Sequence, residues 1–290
     1  MKVLFVGNGA WGKAVASLVV QNTDNVSFWS EKNPQHDFDV VILTVPTQAI
    51  RFLSEKLVLP EDVTIVNCAK GIERDSHMLP FQIVQDVYGQ RDYFSLMGPS
   101  FAQEVEKEMP TLVNLGYEKK EHVEKIKRLF ETDFFRVRPS KGVAALELAA
   151  AFKNIYAIAC GIADGIGYET NTRVKLMLLA MEEFESLCEK LHFDYERSAL
   201  PAIVGDLILT CSSTQSRNFT FGKLLVKYPA EEALARVGAT VEGYYTTASV
   251  SYFVDNYRVK LPLAQFVATI VREQRTQQIK SSFTDFVKHV

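Results

Sequence analysis

Three glycines close the first apolar run of the chain. Gly7, Gly9 and Gly12 form G-x-G-x-x-G within VLFVGNGAWGKAVASLV, directly after a strand-like run at 3–6 and at the opening of a helical pattern. In that setting the first glycine permits a tight turn, the second admits a pyrophosphate to the backbone, and the third lets helix and strand pack closely. The amino terminus of the helix then faces the phosphates with unpaired amides. The competing reading is an ordinary glycine-rich turn. The rest of the first half supports the dinucleotide reading: short apolar runs at 26–29, 40–45, 64–67, 94–97 and 112–115 alternate with helical patterns starting near Trp11, Pro46 and Met78 and spanning 121–130. Alternation of this kind predicts parallel strands joined by crossover helices, and the β-branched content suits a sheet covered on both faces.

Beyond about Lys141 strand-like runs become rare and long helix-compatible stretches take over. The expected architecture is therefore α/β, a doubly wound parallel sheet over residues 1–140 followed by an all-helical domain over 141–290. No proline-rich or glycine-rich linker marks the junction. A length of 290 residues accommodates two such domains.

A formal net charge of -3 supplies no field to gather nucleic acid or anionic lipid, so an anionic ligand must be held by local donors. Cys68, Cys160, Cys188 and Cys211 show neither C-x-x-C spacing nor a histidine at ligand spacing. No metal site or disulfide framework is expected, and a reducing compartment fits. The first apolar run is too short for a signal peptide or membrane span, and later apolar runs carry charges such as Lys153, so the chain reads as cytoplasmic.

Candidate site residues fall at five places. Glu31 follows Gly12 by about 19 residues, close to the roughly 20 at which a carboxylate meets the adenosine ribose, and this favours NAD weakly over NADP. The neighbouring Lys32 could offset repulsion of a 2′-phosphate, and Glu31 also fits a solvated loop charge. At the carboxyl edge of the sheet, CAKGIE offers Lys70, and GPSFAQEV offers Gly98, Pro99 and Ser100 ahead of a helix whose first amides are free. A surface lysine and a plain helix cap are the alternatives. In VAALELAAAFKNIYAIACGIADGIG the pattern is apolar around much of a helix, and Lys153 interrupts it beside Asn154. A buried ammonium needs a partner, a route to solvent or a chemical task, and desolvation suits it to proton transfer. Snorkelling to water is the alternative. Finally, GDLILTCSSTQSRNFTFG gathers Asp206, Thr210, Ser216, Arg217 and Asn218, with Asp206 and Thr210 one helical turn apart. An arginine fork with amide and hydroxyl donors suits a phosphate monoester, and a solvated Ser/Thr-rich turn is the competing reading.

The ordered segments GNGAWG, AKGIE, GPSFAQEV, FKNIYAIACGIADGIGYETNTR, GDLILTC, QSRN and VEGYYT resemble those of bacterial NAD(P)-dependent glycerol-3-phosphate dehydrogenases across nearly the whole chain. The resemblance implies a Rossmann domain and a helical domain like the carboxyl-terminal domain of 6-phosphogluconate dehydrogenase, with substrate held between them. It also implies interconversion of sn-glycerol 3-phosphate and dihydroxyacetone phosphate, feeding glycerophospholipid synthesis, by a homodimer. On that likeness Lys153 is the proton donor and acceptor, with Lys70 and Asp206 completing the catalytic set. Gly98, Ser100, Asn154, Thr210, Ser216, Arg217 and Asn218 join these three in contacting substrate. Ala10, Trp11, Lys70, Ala102, Arg217 and Glu242 resemble contacts to the dinucleotide, beside the Gly7, Gly9, Gly12 and Glu31 that the glycine motif and its spacing point to. Two features depart from the family: about ten residues separate Trp29 from the next strand, a shorter excursion than usual, and Glu31 stands where many relatives carry histidine or arginine. The rival readings are a dehydrogenase of another hydroxyacid or phosphosugar and a catalytically silent dinucleotide sensor. In the dehydrogenases the lysine and asparagine stand one helical turn apart rather than adjacent, and the sensor has no need of Lys153, Asp206 and Arg217 together.

Overall fold

The computed structural model describes residues 1–31, 37–273 and 276–290. Its strands are β1 (Val3–Val6), β2 (Val26–Phe28), β3 (Val40–Leu43), β4 (Thr64–Asn67), β5 (Asp92–Met97), β6 (Thr111–Tyr117) and β7 (Phe135–Lys141). They form a sheet in the order β2-β1-β3-β4-β5-β6-β7, in which β1 lies between β2 and β3. That reversal of strand order is a topological switch point, the place where open α/β sheets bind ligands. Helices α1 (Ala10–Val19), α2 (Ile50–Ser54), α3 (Pro80–Tyr88), α4 (Ala102–Glu106) and α5 (Val123–Phe130) connect the strands.

Side chains alternate across each strand, and here both sides are apolar. Val3 and Phe5 join Val40, Ile42 and Val66 in one core cluster, whereas Leu4 and Val6 join Val41, Leu43 and Ile65 in another. The continuous apolar runs in the sequence are therefore strands buried on two faces.

Two features depart from the expected all-parallel arrangement. β5 and β6 run antiparallel, with Phe94 opposite Tyr117 and Met97 opposite Asn114, while every other described pair in the sheet is parallel. A run buried on both faces reads the same in either direction, so apolar patterning carries no information on strand polarity. The second departure is β7, a strand that the apolar pattern does not predict, because Pro139 and the two arginines Arg136 and Arg138 interrupt it. It is the last strand of the sheet and, among the described residues, pairs only with β6, the edge position in which proline is tolerated. Near Pro46 the expected helix begins as a 3-10 turn at Thr47–Ala49 before α2.

The chain divides into two compact units. The first holds Met1–Glu73, Met78–Leu148 and Asp194–Asp206, so a late segment of the sequence returns to the sheet. In that segment Ser198 O accepts from Asn114 Nδ2 at 2.9 Å, the Ala202 amide donates to Asn114 Oδ1 at 2.9 Å, and Ser140 and Ser198 hydroxyls meet at 2.8 Å.

The second unit holds Arg74–His77, Ala149–Phe193 and Leu207–Val290, and its described elements are helical. They come from α6 (Val143–Ile166), α7 (Thr170–Leu191), α8 (Asp206–Ser212), α9 (Arg217–Leu225), α10 (Ala230–Val237), α11 (Glu242–Thr246), α12 (Val250–Tyr257), α13 (Pro262–Glu273) and α14 (Thr276–His289). α6 is long and apolar enough to cross a membrane, but 94% of its most apolar window is buried inside the protein, as in the central helix of a globular core. Glycine lets α9 approach it closely: a Cβ on Gly161 would stand 2.0 Å from Phe219 O, and one on Gly222 would stand 2.1 Å from Ile158 O.

Candidate functional site

Within the first unit, β1 ends in the glycine turn. Gly7 adopts φ +116°, and a Cβ there would meet the Thr44 carbonyl carbon and Oγ1 at 2.8 Å. A Cβ on Gly12 would meet Gly7 O at 2.4 Å. The protein's own packing therefore requires both glycines. Gly9 is different: its φ of -77° suits any residue, and a Cβ would find nothing within 4 Å. Neither conformation nor internal packing calls for glycine there, which fits a backbone that must lie against an external group. Ala10 and Trp11 open α1 directly beyond it, with helix amides directed to the same place. The residues present thus fit the pyrophosphate of a dinucleotide. Glu31, past the end of β2, accepts from Lys56 Nζ at 2.6 Å, and both side chains are partly exposed. Lys32 lies outside the described residues.

The loops after β4 and β5 meet at Lys70. Its Nζ donates to Gly98 O at 3.0 Å and to Asp206 Oδ2 at 2.7 Å. Asp206 is 2% exposed, so the ion pair is largely withdrawn from water on the acidic side. Ser100 Oγ also donates to Gly98 O, at 3.2 Å. Gly98 is at φ +149°, and a Cβ there would press on Val113 Cα at 2.9 Å, so glycine is needed just past the end of β5, where its carbonyl meets the lysine. Ala102 opens the short helix α4. Beside the lysine, Cys68 is fully buried; burial pushes its thiol up to about 12, against the opposing influence of Lys70 and Trp11. It is an inert core residue rather than a nucleophile.

Within the second unit, Lys153 is 7% exposed and donates to Thr210 Oγ1 at 2.7 Å. The ammonium does not snorkel to solvent. Asn154 and Asn218 are joined side chain to side chain, Asn218 Nδ2 donating to Asn154 Oδ1 at 2.9 Å. Asn218 Oδ1 in turn accepts the Gly243 amide at 2.9 Å, and Asn154 Nδ2 donates to Ala150 O at 3.1 Å. The pair leaves Asn218 one further Nδ2 hydrogen for a ligand. Ser216 is the N-cap of α9, its Oγ accepting from the Phe219 amide at 3.2 Å, a structural role that stands alongside any contact with substrate. Arg217 is exposed, with one guanidinium nitrogen donating to Thr240 O at 3.1 Å. Glu242 opens α11, next to the glycine that Asn218 holds.

The structure thus groups Lys70, Gly98, Ser100 and Asp206 in one unit and Lys153, Asn154, Thr210, Ser216, Arg217 and Asn218 in the other. A further residue escapes the sequence reading. Glu147 is 1% exposed and collects side-chain donors from Asn67, Tyr93 and Ser95. The signal is present, since a glutamate in an apolar helix is as unusual as the lysine six positions later in the same helix. No cluster of groups able to hold a metal ion occurs among the described residues.

Strand order and the glycine turn together define a dinucleotide-binding protein of the Rossmann class. Residues 32–123 match the family described as NAD-dependent glycerol-3-phosphate dehydrogenase N-terminus, and residues 142–280 match the corresponding C-terminus. Among curated relatives, a glycerol-3-phosphate dehydrogenase [NAD(P)+] of Syntrophomonas wolfei is 32% identical, covering 90% of this chain and 88% of the relative. That of Bacillus subtilis is also 32% identical, covering 91% and 88%. A crystal structure of glycerol-3-phosphate dehydrogenase from Coxiella burnetii superimposes with a TM-score of 0.87 at 25% identity, covering 99% of both chains. The chain belongs to the NAD-dependent glycerol-3-phosphate dehydrogenase family.

Proposed function

We propose that the protein interconverts dihydroxyacetone phosphate and sn-glycerol 3-phosphate with NAD(P), supplying the glycerol phosphate unit of phospholipids. Family membership supports the reaction, and the observation that carries the catalytic assignment is the buried Lys153 ammonium held by Thr210. When bound, the nicotinamide supplies or accepts the hydride. Lys153 gives a proton to the oxygen of the carbonyl under reduction and takes it back in the reverse direction. Thr210 fixes the direction of the lysine Nζ through its hydroxyl. Lys70 places a positive charge against the developing alkoxide, and Asp206 orients that charge. Arg217 and Asn218, with Ser216, hold the phosphate group. Gly7, Gly9, Gly12 and the first turn of α1 hold the pyrophosphate, and Glu31 meets the adenosine ribose. In this reading residues 1–140 carry the dinucleotide, and residues 141–290 carry most of the substrate contacts. A cytoplasmic homodimer belongs to the same proposal, and sedimentation velocity tests the dimer.

Oxidation of NADH and NADPH, with and without dihydroxyacetone phosphate at matched cofactor concentrations, tests the reaction. Oxidation that depends on the phosphate substrate is expected. A folded protein that oxidises neither cofactor would overturn the proposal.

A further inference from the structure

Four donors converge on the buried carboxylate of Glu147. Tyr93 OH, Ser95 Oγ and Asn67 Nδ2 donate to Oε1 at 2.6, 2.7 and 2.9 Å, and the Phe81 amide donates to Oε2 at 2.8 Å. Burial pushes this carboxyl above its ordinary range, and the four hydrogen bonds oppose that effect. Phe81 lies in the first turn of α3, whose leading amides have no partner inside the helix. The donors thus come from the end of β4, from β5 and from the start of α3, and one side chain ties all three together.

Asn67 carries this bracing to the loop. Its Nδ2 also donates to Ala69 O at 3.1 Å, and its Oδ1 accepts the Ala69 amide at 2.8 Å. The asparagine therefore clasps both sides of the residue that precedes Lys70. The acceptor that Lys70 reaches, Gly98 O, lies just past the end of β5, the strand bearing Tyr93 and Ser95. Glu147 thus holds the base of the lysine and the strand that aims its head. A core of apolar side chains could stabilise these strands at lower desolvation cost; a carboxylate with four directed acceptor bonds fixes their mutual position.

We infer that Glu147, acting through Asn67, is a positioning residue for the ammonium of Lys70. The inference rests on the reading that Lys70 meets a substrate oxygen. Glu147 neither donates nor accepts a proton in the reaction and acts only by holding Lys70 where charge develops. Misplacement of such a group by about 1 Å can reduce turnover roughly 100-fold.

The test uses Asn67→Ala and Glu147→Gln in the full chain. Asn67→Ala removes the clasp and leaves Glu147 with its donors from Tyr93, Ser95 and Phe81. Glu147→Gln keeps an acceptor for the side-chain donors and turns an amide towards the Phe81 N–H. Two readouts are compared. The first is steady-state kinetics: kcat/KM for dihydroxyacetone phosphate is expected to fall at least about 10-fold while KM for NADH stays within about twofold. The second needs no activity: labelling of Lys70 by an amine-reactive acylating reagent, mapped by peptide mass spectrometry and referenced to Lys56, is expected to accelerate several-fold. General loosening of the fold would accelerate both lysines and raise KM for NADH. Unchanged relative labelling of Lys70 in a folded variant overturns the inference. If wild-type protein ignores dihydroxyacetone phosphate yet the labelling shift appears, the proposed reaction fails and the positioning role stands.

Discussion

Lys153 donates its buried ammonium to Thr210 Oγ1 across 2.7 Å, with no more than 7% of the lysine exposed. Holding a charge so far from water costs stability that hydrogen bonds such as this one offset, and proton transfer to the substrate oxygen is the task proposed for it. Lys153→Met keeps the stem and removes the proton. Turnover is expected to fall by about 100-fold or more, with KM for NADH within about twofold. Steady-state kinetics check this, and near-normal turnover would sink the assignment. Thr210→Val is expected to lose less, because the ammonium remains and only its direction is freed.

The two glycines flanking Ala10 and Trp11 separate packing from ligand contact. Gly12→Ala would drive a methyl to 2.4 Å from Gly7 O, so the unfolding free energy should fall by about 1–3 kcal/mol. A methyl at Gly9→Ala meets nothing within 4 Å among the described residues, so stability should stay within about 0.5 kcal/mol while NADH affinity drops at least several-fold. Chemical denaturation and fluorescence titration with NADH check the pair. An alanine at position 9 that binds NADH normally would contradict placement of the pyrophosphate there.

Glu183 makes stability depend on pH. Burial raises its carboxyl from 4.5 to about 7, although the Leu263 and Ala264 amides at the start of α13 oppose the shift. The native state then binds this proton more tightly than the unfolded chain. The contribution is fully present below about pH 4.5 and is lost as pH rises through about 7, for a total of roughly 3 kcal/mol. Denaturation of wild type and Glu183→Gln at pH 5 and pH 8 isolates it. Wild type should lose stability relative to the variant on going to pH 8, and a constant difference would refute the shift.

Lys56 sits on the carboxylate proposed to meet the adenosine ribose. Lys56→Ala removes the ion-pair partner described for Glu31, so kcat/KM with NADPH should decline several-fold while NADH is affected less than about twofold. An unchanged NADPH to NADH ratio would place the ribose away from Glu31. Being exposed, the pair should contribute little to the melting temperature.

Much of this is legible in the chain itself. The strands β1 and β4 stand where the apolar runs lie, because residues such as Val3 and Leu4 are apolar for opposite faces of one sheet. Lys153 is conspicuous as a charge in an apolar helix, and the same argument applied to Glu147 exposes the carboxylate as well. Other features cannot be read locally. The polarity of β6 leaves no trace in its alternation, and β7 hides behind Pro139. Pairing of Lys70 with Asp206 spans 136 positions, and the joining of Asn154 to Asn218 spans 64, so both depend on how distant segments come together.

The return of Asp194–Asp206 to the first unit also bears on the order in which the protein can mature. A ribosome adds roughly 5–20 residues per second, so the strands β1 to β7 emerge well before residue 206. During that interval Asn114 lacks Ser198 O and the Ala202 amide, and Lys70 lacks its carboxylate. Until the helices between have been synthesised, Asn114 keeps its bond to Arg138 O and Lys70 its bond to Gly98 O, and water answers the remaining polar atoms of these two side chains. The chain cannot finish the half it begins first until it has made a substantial stretch of the other.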